Sequence, residues 1–244
     1  MNNSKILFCG CAFYQLVPEA SRGKVLAALR QSGRDLIYVP DLCKYASEKN
    51  ALMEELSDAE ELQVVACYPR AIRWLFHAAG YPLDMDRVRV YNMREQSPEE
   101  ILAGLLGEAP DLDSIEAEAI KPEGEWTPWF PVIDYERCVD CKQCHNFCLF
   151  GTYDLDEDEK VRVVEPSACK TDCPACARIC PEAAIIFPKY GNSPINGDEI
   201  RDEAQEKERI KVDVEKIMGG DIYTALAKRR KQKRKMRLLK KDVQ

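Results

Sequence analysis

Twelve cysteines against two histidines define the chemistry open to this chain. Eight of them fall between Cys138 and Cys180, in two runs. The first is Cys138-x2-Cys141-x2-Cys144-x3-Cys148. The second is Cys169-x3-Cys173-x2-Cys176-x3-Cys180, followed at once by Pro181. Thiolates at such short intervals reach a common centre from three sides, while a fourth ligand arrives from elsewhere. All-thiolate sites select zinc or iron–sulfur clusters, and C-x2-C-x2-C-x3-C is a spacing of bacterial iron–sulfur ligation. Zinc sites commonly pair two short cysteine hairpins across a longer spacer. Two runs of four therefore favour iron–sulfur, with a pair of zinc sites or a disulfide framework as the alternatives.

The other four cysteines, Cys9, Cys11, Cys43 and Cys67, lie in a different setting. Residues 1 to about 95 read as strands alternating with helices, the pattern of an open, mostly parallel sheet. Lys5–Phe8, Leu36–Val39, Leu62–Ala66 and Arg87–Tyr91 are the strands. Helices are expected over Glu19–Gln31, with Val25, Leu26 and Leu29 on one face, over Ala51–Leu56, and over Arg70–Ala79. Ser97-Pro98-Glu99-Glu100 is a capping box that opens one more helix. The four cysteines follow the first three strands, whose ends lie side by side in such a sheet and form its ligand crevice. They are candidate ligands of a third [4Fe–4S] cluster, and twelve cysteines divide evenly into three fours. Two other readings stay open: ordinary buried cysteines, and a nucleotide or flavin at the same strand ends. The loops lack the glycine-rich cradle that a nucleotide phosphate needs.

The expected organisation is an α/β domain over 1–107, an acidic linker over 108–127 with a helical piece around Ile115–Ile120, a dicluster domain over 128–191, and a polar helical extension with a basic tail over 192–244. The dicluster segment holds a weak internal repeat. Cys148-Leu-Phe-Gly-Thr-Tyr-Asp-Leu155 matches Cys180-Pro-Glu-Ala-Ala-Ile-Ile-Phe187. Trp126, Trp129 and Phe130 precede the first cysteine loop and are expected to pack against the cluster domain and keep water out. Arg178, between Cys176 and Cys180, is placed to tune a redox potential by its charge. His77 and His145 read as structural or solvent-facing residues.

Residues 130–187 resemble a bacterial-type ferredoxin carrying two [4Fe–4S] clusters, an α+β fold. In that family the fourth cysteine of each run serves the other cluster. The resemblance thus implies Cys138, Cys141, Cys144 and Cys180 for one cluster, and Cys169, Cys173, Cys176 and Cys148 for the other. The sequence departs from the pattern twice. Leu149 rather than proline follows Cys148, and Lys170-Thr171-Asp172 makes the first gap of the second run one residue longer. The first 90 or so residues are similar to the N-terminal domain of the heterodisulfide reductase A subunit and its relatives. That similarity rests on Phe8-Cys-Gly-Cys11, Val64-Val-Ala-Cys67-Tyr-Pro-Arg70 and Val90-Tyr-Asn-Met-Arg94, without that subunit's flavin domain.

The net charge of −7 conceals an asymmetry. Ten of the 35 basic residues fall between Lys228 and Lys241 with no acid among them, so the body is acidic and the tail basic. The opening residues do not form a signal peptide, and no apolar run approaches the roughly 20 residues that span a bilayer. Clustered cysteines then point to a reducing cytoplasm and to metal rather than disulfides. The expected function is single-electron transfer through two, with the N-terminal site three, [4Fe–4S] clusters. The chain reads as a subunit or dedicated partner of a larger, heterodisulfide-reductase-like or other multi-subunit oxidoreductase, not as a self-sufficient enzyme. A cluster-based redox or oxygen sensor, with the tail binding nucleic acid, is the alternative.

Overall fold

A computed structural model describes residues 5–218 together with 224, 227, 228 and 231. The basic tail expected from Lys228 onward lies outside the described residues, apart from Lys228 and Lys231. The chain divides into two compact units, residues 1–128 and 129–244.

The first unit is built on a four-stranded parallel sheet of β1 (Lys5–Cys9), β2 (Leu36–Val39), β3 (Leu62–Ala66) and β4 (Val88–Asn92), in the order β2-β1-β3-β4. Its strands are apolar and rich in β-branched residues, as a sheet covered on its faces requires. Phe8 pairs with Tyr38 on one side and Val65 on the other, so all strands end at one edge. Crossovers are made by α1 (Glu19–Gln31), α2 (Leu42–Ser47) with α3 (Leu52–Ser57), and α4 (Pro69–Ala79); α5 (Pro98–Leu106) follows the last strand. Helix α5 starts on the expected capping box: Glu100 N–H donates to Ser97 Oγ at 3.2 Å, and Ser97 N–H donates to Glu100 Oε2 at 2.7 Å.

Two features differ from the sequence expectation. Helix α2 was not anticipated; it is a single short stretch opened by Asp41, whose Oδ1 accepts from Lys44 N–H. The helical piece expected around Ile115–Ile120 does not form. Instead the backbone N–H of Glu118 donates to Gly23 O of α1, while Leu112, Ile115 and Ile120 enter the core with Phe8, Leu26 and Ile101. Three apolar residues thus anchor this acidic stretch to the first unit. The approach is close: a Cβ on Gly23 would stand 2.4 Å from Glu118 O. Gly23→Ala is therefore expected to push residues 117–120 off α1. Overpacking should outweigh the gain in helix propensity and lower stability by about 1–3 kcal/mol, read by denaturant unfolding.

The second unit begins with β5 (Val132–Ile133), α6 (Gln143–Phe147) and β6 (Tyr153–Leu155). It continues with β7 (Val161–Val163), α7 (Ala175–Arg178), β8 (Ile185–Ile186) and α8 (Glu203–Met218). Strand β6 pairs antiparallel with β7 across the acidic turn, and β5 pairs antiparallel with β8. The strand before the first cysteine run thus joins the strand after the second. Helix α8 packs Val214 and Ile217 against Phe147 and Ile179. Among the described residues no helix is long and apolar enough to cross a membrane.

Candidate functional site

Pairing β5 with β8 carries the end of the second cysteine run back to the beginning of the first. Asp134 N–H donates to Ala184 O at 2.8 Å, and Cys138 N–H donates to Asp134 O at 2.9 Å. Left-handed backbone at Asp140 and Lys142 then turns the loop into α6. Cys138, Cys141, Cys144 and Cys180 consequently line one cavity, closed by the apolar side chains of Ile133, Val161, Ala184 and Ile185. Cys148, Cys169, Cys173 and Cys176 line a second cavity, with Phe147, Thr152 and Tyr153 among its walls. Each cavity takes three cysteines from one run and the last cysteine of the other. The longer gap of the second run folds into a turn, with Cys173 N–H on Lys170 O at 3.2 Å and Asp172 left-handed, and Cys169 still reaches its cavity. None of the twelve cysteines is in a disulfide.

Among the described residues, no three Cys, His, Asp or Glu side chains are gathered tightly enough to hold a single ion. Each quartet presents its sulfurs around a space rather than at a point. The surroundings resist bare thiolates. Burial, and then the neighbouring cysteines Cys180 and Cys141, push the Cys144 thiol up, and burial does the same to Cys176. Cys138 is raised to about 11 and Cys169 to about 12, again first by burial. Burial thus keeps Cys138, Cys144, Cys169 and Cys176 protonated until a cation takes the protons' place, so metal binding here releases protons. Donors are ready for the resulting negative charge. Cys180 Sγ accepts the backbone N–H of Ala184 at 3.3 Å, and the amides of Glu182 and Ile185 also bond to it. Tyr153 Oη donates to Cys176 Sγ at 3.1 Å. The Tyr153 hydroxyl is held far above the phenol range by burial, then by Cys176, Cys144 and Cys148, and so keeps its proton.

Helix α8 covers the side of α7. Arg178, expected to act by its charge, is paired: its Nη2 and Nε donate to Asp213 at 2.6 and 3.1 Å. Arg209 Nη1 donates to the same carboxylate at 2.7 Å. The Arg178 hydrogen bonds and the two guanidinium charges hold the Asp213 carboxyl below the usual carboxylate range. Its contribution to stability is complete above that range and lost as pH falls through the lowered value. Asp213→Ala leaves both guanidinium groups, each about one-third exposed, without this partner. The expected cost is about 2 kcal/mol, between the values for exposed and buried pairs. Faster amide exchange over 203–218 at neutral pH would register it.

In the first unit, Cys9 ends β1, Cys11 lies two residues on, Cys43 sits in the first turn of α2, and Cys67 follows β3. All four stand at the edge where the strands end. Burial pushes the Cys9 thiol up, followed by the charges of Asp41, Cys11 and Cys67; Leu42 N–H donates to its sulfur at 3.3 Å. The loop between Cys9 and Cys11 is tightly packed: a Cβ on Gly10 would lie 2.9 Å from both Pro40 O and Ile120 Cγ2. Arg22 holds this loop from α1. Its Nη1 donates to Gly10 O and, at 2.8 Å, to Cys11 O, and its Nε is buried with no partner. Sequence reasoning passed over Arg22, although a charge three and four residues before Val25 and Leu26 interrupts the apolar face and was a usable signal. Thr152 and Tyr153 were passed over too, although the internal repeat sets them opposite Ala184 and Ile185; Asp213 carries no local pattern.

A family model described as a 4Fe-4S dicluster domain matches residues 130–214, a span that reaches into α8. An uncharacterized ferredoxin of Methanocaldococcus jannaschii is 49% identical over 61 residues, 25% of this chain and 41% of that protein. The pyruvate synthase subunit PorD of the same organism is 36% identical over 62 residues, 25% of this chain and 70% of the subunit. Ferredoxin-3 of Nostoc sp. is 33% identical over 75 residues, 23% of this chain and 76% of that protein. The chain thus spans about two-fifths of the first of these relatives. No solved structure matches it.

Proposed function

The chain belongs to the 4Fe-4S dicluster ferredoxin family through residues 130–214, and from this we propose that it passes single electrons as the iron–sulfur subunit of a larger oxidoreductase. The single observation that carries this reading is the sorting of eight cysteines into two cavities, three from one run and one from the other in each. Cys138, Cys141, Cys144 and Cys180 would hold one [4Fe–4S] cluster, and Cys148, Cys169, Cys173 and Cys176 the other. When bound, each cluster supplies reversible one-electron uptake. The protein's own residues do the rest. Buried apolar walls exclude water, backbone amides and the Tyr153 hydroxyl offset negative charge, and α8 closes the side of α7. Cys141 and Val139 are exposed in the first loop, which leaves that quartet within reach of a redox partner.

The subunit role draws support from two relatives that are themselves enzyme subunits, PorD and a sulfite dehydrogenase component of Allochromatium vinosum. The similarity of the first 90 residues to heterodisulfide reductase A relatives suggests that kind of assembly. In the first unit, Cys9, Cys11, Cys43 and Cys67 would bind a third [4Fe–4S] cluster at the strand ends. Arg22 would fix the loop that carries two of these ligands.

The test is anaerobic purification of the full chain, followed by metal and acid-labile sulfide analysis and electron paramagnetic resonance after dithionite reduction. The expected result is about 8 irons per chain from the two dicluster sites, or about 12 with the third. The reduced protein is expected to pass electrons to cytochrome c. Zinc in place of iron, or a reduced protein that cytochrome c does not oxidise, would overturn the reading.

A further inference from the structure

The internal repeat makes the two halves of the second unit comparable position by position, and at two positions they differ in kind. Four and five residues after Cys180 come Ala184 and Ile185; at the same distances after Cys148 come Thr152 and Tyr153. Ala184 and Ile185 line the first cavity, Thr152 and Tyr153 the second. At the first quartet, Cys180 is bonded by main-chain amides, including those of these same two residues. At the second, hydroxyl groups stand where the other half has only hydrocarbon. Tyr153, 3% exposed, donates Oη–H to Cys176 Sγ at 3.1 Å. Thr152, 0% exposed, has Oγ1 at 3.7 Å from Cys148 Sγ and also bonds to Cys169. Three of the four sulfurs of the second quartet therefore face a buried hydroxyl.

We propose that the Thr152 and Tyr153 hydroxyls raise the reduction potential of the second cluster, so that side chains tune that cluster where the main chain tunes the first. The proposal rests on reading the quartets as [4Fe–4S] sites. A hydrogen bond to a ligand sulfur holds the more negative, reduced cluster more firmly than the oxidised one. The step is the uptake of one electron from an external one-electron reductant; the hydroxyl hydrogens stay on Thr152 and Tyr153. Both are positioning residues, acting through the sulfurs they touch.

The experiment is a dithionite-poised redox titration of the full chain, purified anaerobically and followed by electron paramagnetic resonance, for wild type, Tyr153→Phe and Thr152→Val. Cys173→Ser identifies the second cluster's signal as the one it abolishes. In Tyr153→Phe, iron and sulfide per chain are expected to stay unchanged. The reduced-to-oxidised ratio of that one signal at a fixed potential is expected to fall about tenfold, or about 59 mV for one electron. The other signals should not move, and one exchangeable proton coupling should disappear from the second cluster's ENDOR spectrum in a comparison of water with deuterium oxide. Thr152→Val is expected to lower the same potential by less. Unchanged potentials with full iron in Tyr153→Phe overturn the proposal. Should that variant shed iron, an unmoved potential in Thr152→Val overturns it. Absence of iron from the wild type, or a full set of signals in Cys173→Ser, defeats the ligand assignment instead and is told apart by that pattern.

Discussion

Cys180→Ser is expected to extinguish the cluster that, on the proposed assignment, Cys138, Cys141 and Cys144 would also hold from about 40 residues earlier in the chain. The physical reason is the β5–β8 pairing, which brings the end of the second run to the first cavity. Cys180 is also the sulfur that receives the amides of Glu182, Ala184 and Ile185. A serine there loses a ligand atom and leaves those donors aimed at a weaker acceptor. Iron should fall by about 4 per chain, and the paramagnetic signal lost should be the one that Cys141→Ser removes. If Cys180→Ser instead removes the signal lost in Cys173→Ser, the ligands are local to each run and the crossed assignment is wrong. The exchange also implies interdependence. Neither quartet is complete until both halves of the second unit have folded together, so Cys180→Ser should lower the thermal stability of the remaining cluster as well.

Cys67→Ser is expected to remove about 4 irons from a total of about 12 and to leave both dicluster signals in place. Cys67 follows β3, on the opposite side of β1 from β2. It lies within the electrostatic reach of Cys9, as does Cys11. Its loss would take a ligand from one flank of the site, while Cys9, Cys11 and Cys43 remain at the same sheet edge. A wild type with about 8 irons, unchanged in Cys67→Ser, would show the N-terminal cysteines to be ordinary packing residues. The two substitutions thus probe separate units of the chain. An iron loss in one and not the other locates the failure.

Much of this was legible before any coordinates. The spacing Cys138-x2-Cys141-x2-Cys144 named the chemistry, because three thiolates so close in sequence have few other uses. The four parallel strands and the capped helix at Ser97 followed from apolar periodicity and from Ser97-Pro98-Glu99-Glu100. Other features were hidden for identifiable reasons. Helix α2 is short, and its N-cap Asp41 carries no pattern that tells it from a turn. Residues 115–120 have composition suited to a helix, but their backbone bonds to Gly23, a contact about 95 residues away in sequence that no local pattern encodes. Arg178 was visible as a charge beside a cluster loop; its partner Asp213 lies on a helix 35 residues later, so its pairing was not.

The sequence by itself determined the ligand type, the number of cysteine runs and the strand–helix alternation, since each depends on spacing along a few consecutive residues. The resemblance to two-cluster ferredoxins already implied which cysteines are grouped, and the two cavities have that grouping; only the tertiary structure decided which hydroxyls touch sulfur and what covers α7. Those outcomes depend on strand pairing and helix packing between residues far apart in the chain. The pairing of β5 with β8 turns two linear runs into two crossed quartets, and the placement of β6 sets the Thr152 hydroxyl beside Cys148 and makes the Tyr153 hydroxyl a hydrogen-bond donor to Cys176.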